Sequence, residues 1–283
     1  MENTYVVNEE LSPTQQAQMS YRAALRHYQN LRGFERISWV TWVLITGTIL
    51  TWCFTAYQVA LAAGARTFRD IINNILANTQ NADVLVTYGA KYNDLIKQGQ
   101  YWRFVTPIFL HANLLHVGLN MLNLLILGVF LERLFGHLRF LLIYLLTGVV
   151  SIIASFYFAP QEVSVGASGA IFGLVGAYSI FVLMHRRAFR RGGIPALVWL
   201  VFIIGVNLSI GLFIPNVDNW AHISGFLSGC LLGWLFSPHY VLSSDKALVD
   251  VHSLARRWPL ALLTIFVTLI LAIIARYSHI KWW

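Results

Sequence analysis

The sequence is poor in charged residues: Asp, Glu, Lys and Arg make up 11% of its 283 residues, whereas 57% are hydrophobic. With a mean hydropathy of +0.62, this composition excludes a soluble globular domain. Cysteine is scarce as well. Cys53 and Cys230 both lie in apolar stretches, so they are interpreted as buried fillers rather than a disulfide or a metal site. The first 36 residues lack an early apolar core, so no cleavable signal peptide is expected.

The apolar residues are gathered in long blocks. A helix needs about 20 such residues to cross the hydrocarbon core of a bilayer. Seven blocks reach or approach this length, and they predict an all-α, polytopic bundle of seven transmembrane helices. The predicted spans are Ile37–Ala63, Phe104–Leu131, Leu138–Ala159, Gly166–Met184, Pro195–Ile214, Trp220–Ser237 and Trp258–Ala275.

Basic residues are concentrated in alternate short loops, most densely over residues 185–191 between spans four and five. The connections Pro160–Val165 and Pro215–Asn219 contain no Lys or Arg. The positive-inside rule therefore predicts a cytoplasmic N-terminus and an external C-terminus. The net charge of +8 is explained by this orientation, and no nucleic-acid partner is expected.

Three segments follow from this topology. Residues 1–36 form a cytoplasmic N-terminal segment, and residues 37–238 form a six-span core with a long external first loop over 64–103. Residues 239–283 supply a cytoplasmic linker and the seventh span. Within the first loop, Thr67–Thr79 has apolar residues near helical spacing. This spacing is compatible with an amphipathic helix at the outer interface and equally with an ordinary packed loop helix.

Two polar side chains stand out because they lie at matching depth in apolar helices. Ser168 begins span four within Gly166-Ala167-Ser168-Gly169, and His222 lies in the corresponding place in span six. Polar and ionisable groups in a membrane are costly and commonly functional. In span two, His116 and Asn120 are four residues apart, so they project from one helix face at about the same level.

Together these residues suggest an acyl-transfer site without a carboxylate. Ser168 would be the nucleophile and His222 its base, with His116, Asn120 and the Ser168 backbone N–H as oxyanion donors. Glycines recur at about one-turn spacing in span four (Gly169, Gly173 and Gly176) and in span six (Gly225, Gly229 and Gly233), which predicts close approach of the two helices. Taken singly, a membrane serine usually bonds its own backbone, and glycine stripes usually serve packing. The four polar residues at one depth are harder to assign to packing alone.

From about Ile37 to Ser237 the chain resembles a rhomboid intramembrane serine protease of the bacterial type, with a six-helix core and one added C-terminal helix. The resemblance is carried by four separated motifs: Trp102-Arg103, His111-x4-His116-x3-Asn120, Gly166-Ala167-Ser168-Gly169 and Ala221-His222-x2-Gly225-x3-Gly229.

The resemblance implies that Ser168 and His222 form a dyad that hydrolyses peptide bonds of membrane-protein substrates near the external face. It assigns His116, Asn120 and the turn at Gly166 to active-site support. Arg103, next to Trp102, would anchor the first loop in the outer leaflet, and Glu132 would support the bundle from the cytoplasmic end of span two. His111 would retain water at the external mouth or be a simple interfacial histidine.

Many members of the family have Tyr four residues after the serine, where this chain has Phe172. The ring can still stack on the histidine, but it lacks the hydroxyl. No metal or organic cofactor is implied, because no His, Cys or Asp cluster has ligand spacing. The expected location is the cell membrane, as a multi-pass protein of the bacterial plasma membrane. The oligomeric state is left open.

Two functions other than proteolysis are also compatible with intramembrane polar residues. A non-enzymatic rhomboid-like protein would bind or route membrane clients, but such relatives generally lack the serine or the histidine. A transporter or proton relay would use the intramembrane histidines. It predicts charged residues at mid-depth, of which spans three, five and seven have essentially none.

Overall fold

The computed structural model describes residues 12, 37–77, 81–185, 218–242, 248–250 and 254–277 of the chain. The predicted span Pro195–Ile214 and most of the basic loop before it lie outside these residues. The described helices are α1 Trp39–Ala62, α2 Phe68–Leu76, α3 Ala82–Thr87, α4 Asn93–Lys97, α5 Leu114–Asn123, α6 Val129–Phe135, α7 His137–Phe158, α8 Ser168–Met184, α9 Asn219–Phe236 and α10 Leu254–Tyr277. A short antiparallel hairpin pairs β1 Tyr240–Leu242 with β2 Leu248–Asp250 in the predicted linker.

The prediction of a helical membrane bundle is confirmed. Three helices are long and apolar enough to cross a bilayer, namely α1, α7 and the continuous helix Leu114–Phe135 formed by α5, a π-helical turn at Leu124–Gly128 and α6. Shorter apolar helices are α8 and residues Arg257–Leu271 of α10. The number of spans and the orientation of the termini stay predictions.

The start of span two was predicted wrongly. Its helix begins at Leu114, not at Phe104, because two 3-10 turns, Tyr101–Phe104 and Thr106–Phe109, precede it. Pro107 lies in the second turn and has no backbone N–H to continue a helical ladder. Asn113 then caps α5, its side chain accepting a hydrogen bond from the His116 backbone N–H at 2.8 Å. The first long loop, predicted to be external, therefore extends ten residues further than the apolar pattern indicated.

Helix α2 lies within this loop, and its apolar side chains are exposed on the protein surface. A capping box between Thr67 and Asp70 begins the helix, and none of its residues is buried. Phe68 and Leu76, at its two ends, are 78% and 69% exposed. An exposed apolar side favours the interfacial helix over the packed loop helix, since a packed helix would bury these rings and methyl groups.

The predicted close approach of spans four and six is confirmed at the level of backbone atoms. A Cβ built on Gly225 would fall on the carbonyl oxygen of Gly169, and one built on Gly229 would fall on that of Gly173. One turn on, a Cβ at Gly233 would lie 2.6 Å from the Cα of Ala177. Helices α8 and α9 therefore touch without intervening side chains.

The opposite end of the bundle is organised by a buried carboxylate. Glu132, 1% exposed, accepts hydrogen bonds from the backbone N–H groups of Val40 (3.0 Å) and Thr41 (2.8 Å) and from the Thr41 hydroxyl (2.6 Å). The first amides of a helix have no intrahelical partner and favour a negative charge. His137 Nδ1 lies 2.5 Å from the same carboxylate. Glu132 thus attaches α1 to the end of α6.

Candidate active site

A serine and a histidine meet where α8 and α9 begin. Ser168 is the first residue of α8, and His222 lies in the first turn of α9. The Ser168 Oγ and His222 Nε2 atoms are 2.8 Å apart, a hydrogen-bond distance. The contact joins residues 54 positions apart, and it is possible because the helix backbones touch at Gly169 and Gly225.

The imidazole of His222 is held by packing rather than by a carboxylate. Phe172, one turn after Ser168, lies against it with ring centroids 4.6 Å apart and an angle of 22° between planes. His222 Nδ1 is buried and has no hydrogen-bond partner among the described residues. The nearby Asp218 uses its Oδ1 to cap α9 through the Ala221 N–H at 3.0 Å. The serine and the histidine therefore form a pair without a third, carboxylate partner on the His222 Nδ1 among the described residues.

Gly166 occupies a turn that only glycine fits easily. Its φ of +127° is rarely adopted by residues with a side chain. A Cβ there would lie 2.8 Å from Nε2 of His116 and 3.7 Å from the Ser168 Oγ. The imidazole of His116 therefore packs against the turn that leads into Ser168, so span two contributes to the same site.

Asn120 follows His116 by one turn and is buried, with 6% of its surface exposed. Its Nδ2 donates to the His116 backbone carbonyl at 2.9 Å, so this bond stays within its own helix. An amide carries two N–H donors, which leaves one for another acceptor.

His111 is buried against the turn that precedes Ser168. It is 1% exposed, and its Nε2 accepts a hydrogen bond from the Ala167 backbone N–H at 3.3 Å. Its ring meets that of His116 edge to face, with centroids 5.0 Å apart. His111 thus contacts both the turn before the serine and a neighbouring site residue.

Trp102 and Arg103 have contrasting surroundings. The Trp102 side chain is 54% exposed, whereas Arg103 is 3% exposed. The Arg103 Nη1 donates to the carbonyls of Val86 (2.6 Å) and Ala90 (2.8 Å), and its Nε donates to Gln100 Oε1 (2.8 Å). The guanidinium therefore joins separate parts of the first external loop and lies 5.8 Å from the Trp102 ring centroid.

The sequence motifs do not identify Lys91, a residue of the first long loop that is fully buried. Its Nζ donates to the backbone carbonyls of Ala159 and Glu162. Backbone acceptors far along the chain leave no side-chain pattern from which this position could have been found.

Fold and site together define the class: a multi-pass helical membrane protein with a hydrogen-bonded serine and histidine at the ends of two touching helices. A sequence profile described as the Rhomboid domain matches residues 98–239. The chain belongs to the rhomboid family, which includes intramembrane serine proteases.

Individual relatives agree with this assignment. The chain is 40% identical over 179 residues to "Rhomboid protease GluP" of Bacillus subtilis (strain 168), a match that covers 63% of this chain and 33% of the relative. It is 37% identical to "RHOMBOID-like protein 1" of Arabidopsis thaliana over 66% of this chain and 48% of that protein. With "RHOMBOID-like protein 5" of the same plant the identity is 34%, over 74% and 73% of the two chains. The matched region thus spans a third to a half of the first two relatives, and about three quarters of the third.

Proposed function

We propose that the protein is an intramembrane serine endopeptidase that cleaves membrane-protein substrates near the external face of the membrane. The observation that carries the proposal is the 2.8 Å contact between Ser168 Oγ and His222 Nε2 at the beginnings of α8 and α9. A nucleophile within hydrogen-bond reach of a base is the arrangement that activates a serine hydroxyl. The name of the Bacillus subtilis relative, a rhomboid protease, supports the same activity.

In the acylation step, Ser168 Oγ attacks the carbonyl carbon of the peptide bond while its proton passes to His222 Nε2. The tetrahedral intermediate then collapses, and the departing amine takes that proton from Nε2. For Nε2 to accept the proton, the neutral ring must carry its own proton on Nδ1. The flat contact with Phe172 supports the ring and favours its transient positive charge.

The developing oxyanion needs donors that are in place before the reaction. The Ser168 backbone N–H is one of the first amides of α8, which have no intrahelical acceptor. His116, packed against the Gly166 turn, and the second N–H of Asn120 are the proposed side-chain donors. His111 would support this arrangement through Ala167.

In the deacylation step, His222 removes a proton from a water molecule that attacks the acyl carbon. The proton then returns to Ser168 as the ester bond breaks. We place this water at the external side, because the proposed orientation puts residues 1–36 in the cytoplasm and the start of α8 outside. The proposed cellular location is the bacterial plasma membrane, with substrate entry beside the predicted span Pro195–Ile214. The division into residues 1–36, 37–238 and 239–283 belongs to this proposal.

The test is cleavage of a reporter transmembrane substrate by the full chain in proteoliposomes. Ser168→Ala should abolish cleavage, because the Ser168 Oγ is the hydroxyl that meets the His222 Nε2 among the described residues. Ser179→Ala is the matched control on the same helix, since the Ser179 Oγ donates to the Val175 carbonyl of its own helix at 2.9 Å. Cleavage by Ser168→Ala at the wild-type rate would exclude the proposed nucleophile.

Labelling with a fluorophosphonate probe separates the protease from a client-binding rhomboid-like protein. An activated serine should react with the probe in the wild type and in Ser179→Ala, and it should not react in Ser168→Ala. A wild-type protein that neither labels nor cleaves would favour the client-binding function.

A further inference from the structure

Lys91 is the one fully buried cation that the proposed chemistry leaves unused among the described residues. A lysine is almost never completely buried unless its ammonium is paired, because removal from water is costly. Lys91 lies in the first long loop, and its side chain reaches the turn that precedes Ser168. The cost of burying the ammonium is therefore offset at this turn.

The Lys91 ammonium caps the end of α7. Its Nζ donates to the Ala159 carbonyl at 2.5 Å and to the Glu162 carbonyl at 3.0 Å. Ala159 is the C-terminal cap of α7, where carbonyl groups lack intrahelical donors and the helix dipole favours a positive charge. One side chain thus holds both the end of this helix and the turn that follows.

The chain from this turn to the serine is attached to the external loop at successive points. The backbones of Lys91 and Ser164 form an antiparallel bridge, with hydrogen bonds of 3.0 Å and 3.3 Å. The Gly166 N–H donates to the Pro107 carbonyl at 2.8 Å, and α8 begins two residues later. Displacement of the turn would therefore be passed along a short, bonded segment to Ser168.

The charge of Lys91 also interacts with the carboxylate of Asp218, the residue that caps the start of α9. The carboxylates of Asp218 and Glu162 are the charged groups that act on it, and both favour its protonated form. Burial is the larger effect and lowers the pKa of the Lys91 ammonium to about 8. Asp218 caps α9 four residues before His222, so the ammonium is bonded to the turn that leads to the nucleophile and is attracted by the residue that begins the helix of the base.

We propose that Lys91 is a positioning residue for the Ser168–His222 pair: its ammonium fixes the turn between α7 and α8 and attracts the acidic start of α9. The inference rests on the proposed protease function, because it assigns a role in that reaction. Lys91 touches neither the reacting atoms nor the substrate. Its effect is on the relative placement of the two groups.

The experiment compares Lys91→Met with Lys97→Met, a matched loss of an exposed lysine in the same loop. Both variants of the full chain are assayed in proteoliposomes with the reporter substrate, and kcat and KM are determined separately. Lys91→Met should lose about tenfold or more in kcat with little change in KM, because misplacement by about 1 Å can cost 100-fold. Lys97→Met should match the wild type. Wild-type kcat in Lys91→Met would overturn the proposal.

The pH profile supplies a readout that a purely structural role would not move. The ammonium is present below pH 8 and is lost above it, so wild-type kcat should fall on the alkaline side with an apparent pKa near 8. Lys91→Met should lack this fall, and Lys91→Arg should move it to higher pH. A fall of equal size and midpoint in Lys91→Met would assign it to another group and contradict the proposal.

Two outcomes separate this inference from the function on which it rests. If the wild type neither cleaves nor reacts with the fluorophosphonate probe, the proposed function fails. If the wild type is active and Lys91→Met is equally active, only the role of Lys91 fails. Should Lys91→Met not fold, the wild-type and Lys91→Arg profiles still decide the matter, because the alkaline fall must be present and must shift.

Discussion

Phe172 shows what a single ring contributes to the candidate site. The face of its ring, not its edge, meets the imidazole of His222, and the 22° angle between planes leaves the two rings nearly parallel. This contact uses only the aromatic face, which tyrosine shares. The hydroxyl that many family members carry here is therefore not needed to hold the histidine.

Two substitutions of Phe172 should distinguish the contribution of the ring to kcat from that of a hydroxyl on it. Phe172→Tyr is expected to keep kcat within about twofold of the wild type, whereas Phe172→Ala should lower it about tenfold, since a cation–π contact contributes roughly 0.5–2 kcal/mol. Single-turnover cleavage of the reporter measures the difference. Equal rates for Phe172→Ala and the wild type would show that the stacking has no part in the reaction.

The candidate residues differ in how visible they are in the sequence. Ser168, His222, His116 and Asn120 stand out because each is a polar residue in an apolar helix whose direction the basic loops predict. Lys91 does not, because the atoms it binds belong to backbone carbonyls 68 and 71 residues away. Carbonyl groups are present at every residue, so no composition or spacing marks the ones that a buried lysine will find.

At the scale of the elements, glycine spacing made one contact predictable. Gly225, Gly229 and Gly233 recur at intervals that place them on one side of α9, and that side meets α8. The start of span two was not predictable in the same way. Residues 104–110 are mostly apolar and so look like the first turns of a membrane helix. In the structure, two 3-10 turns, the second containing Pro107, come first, and Asn113 then caps α5.

Gly229→Ala tests the contact between these elements. Its Cβ would meet the Gly173 backbone, which cannot rotate away, so the helices must separate. We expect a loss of about 1–3 kcal/mol in the free energy of unfolding, as for other overpacked sites. Cleavage should also fall, because Ser168 and His222 would move apart. Unfolding in mild detergent and the reporter assay give the two measurements.

Gly47→Ala is the matched control for this substitution. Gly47 also lies inside a helix, α1, but a Cβ there meets nothing within 4 Å. Alanine is the better helix former, so this variant should be as stable as the wild type or slightly more so. If both variants lost the same stability, the close contact would not be the cause.

At the scale of the whole molecule, orientation decides where the candidate site opens. The positive-inside rule predicts that the starts of α8 and α9 lie outside. A protease added to sealed, right-side-out membrane vesicles should therefore remove a tag fused after Trp283 and leave a tag fused before Met1 intact. Immunoblotting of the two tags measures this. The reverse pattern would place the site at the cytoplasmic face.

The backbone contact between α8 and α9 also limits how the protein could be recombined with its relatives. Gly225, Gly229 and Gly233 of α9 lie directly on the backbone of Gly169, Gly173 and Ala177 of α8, so a larger residue at any of these positions would push the helices apart. A chimera that takes α8 from a relative and keeps its own α9 would have to reproduce this close contact by chance. The two helices should therefore be exchanged together, although 34 residues of sequence, 185–218, separate them.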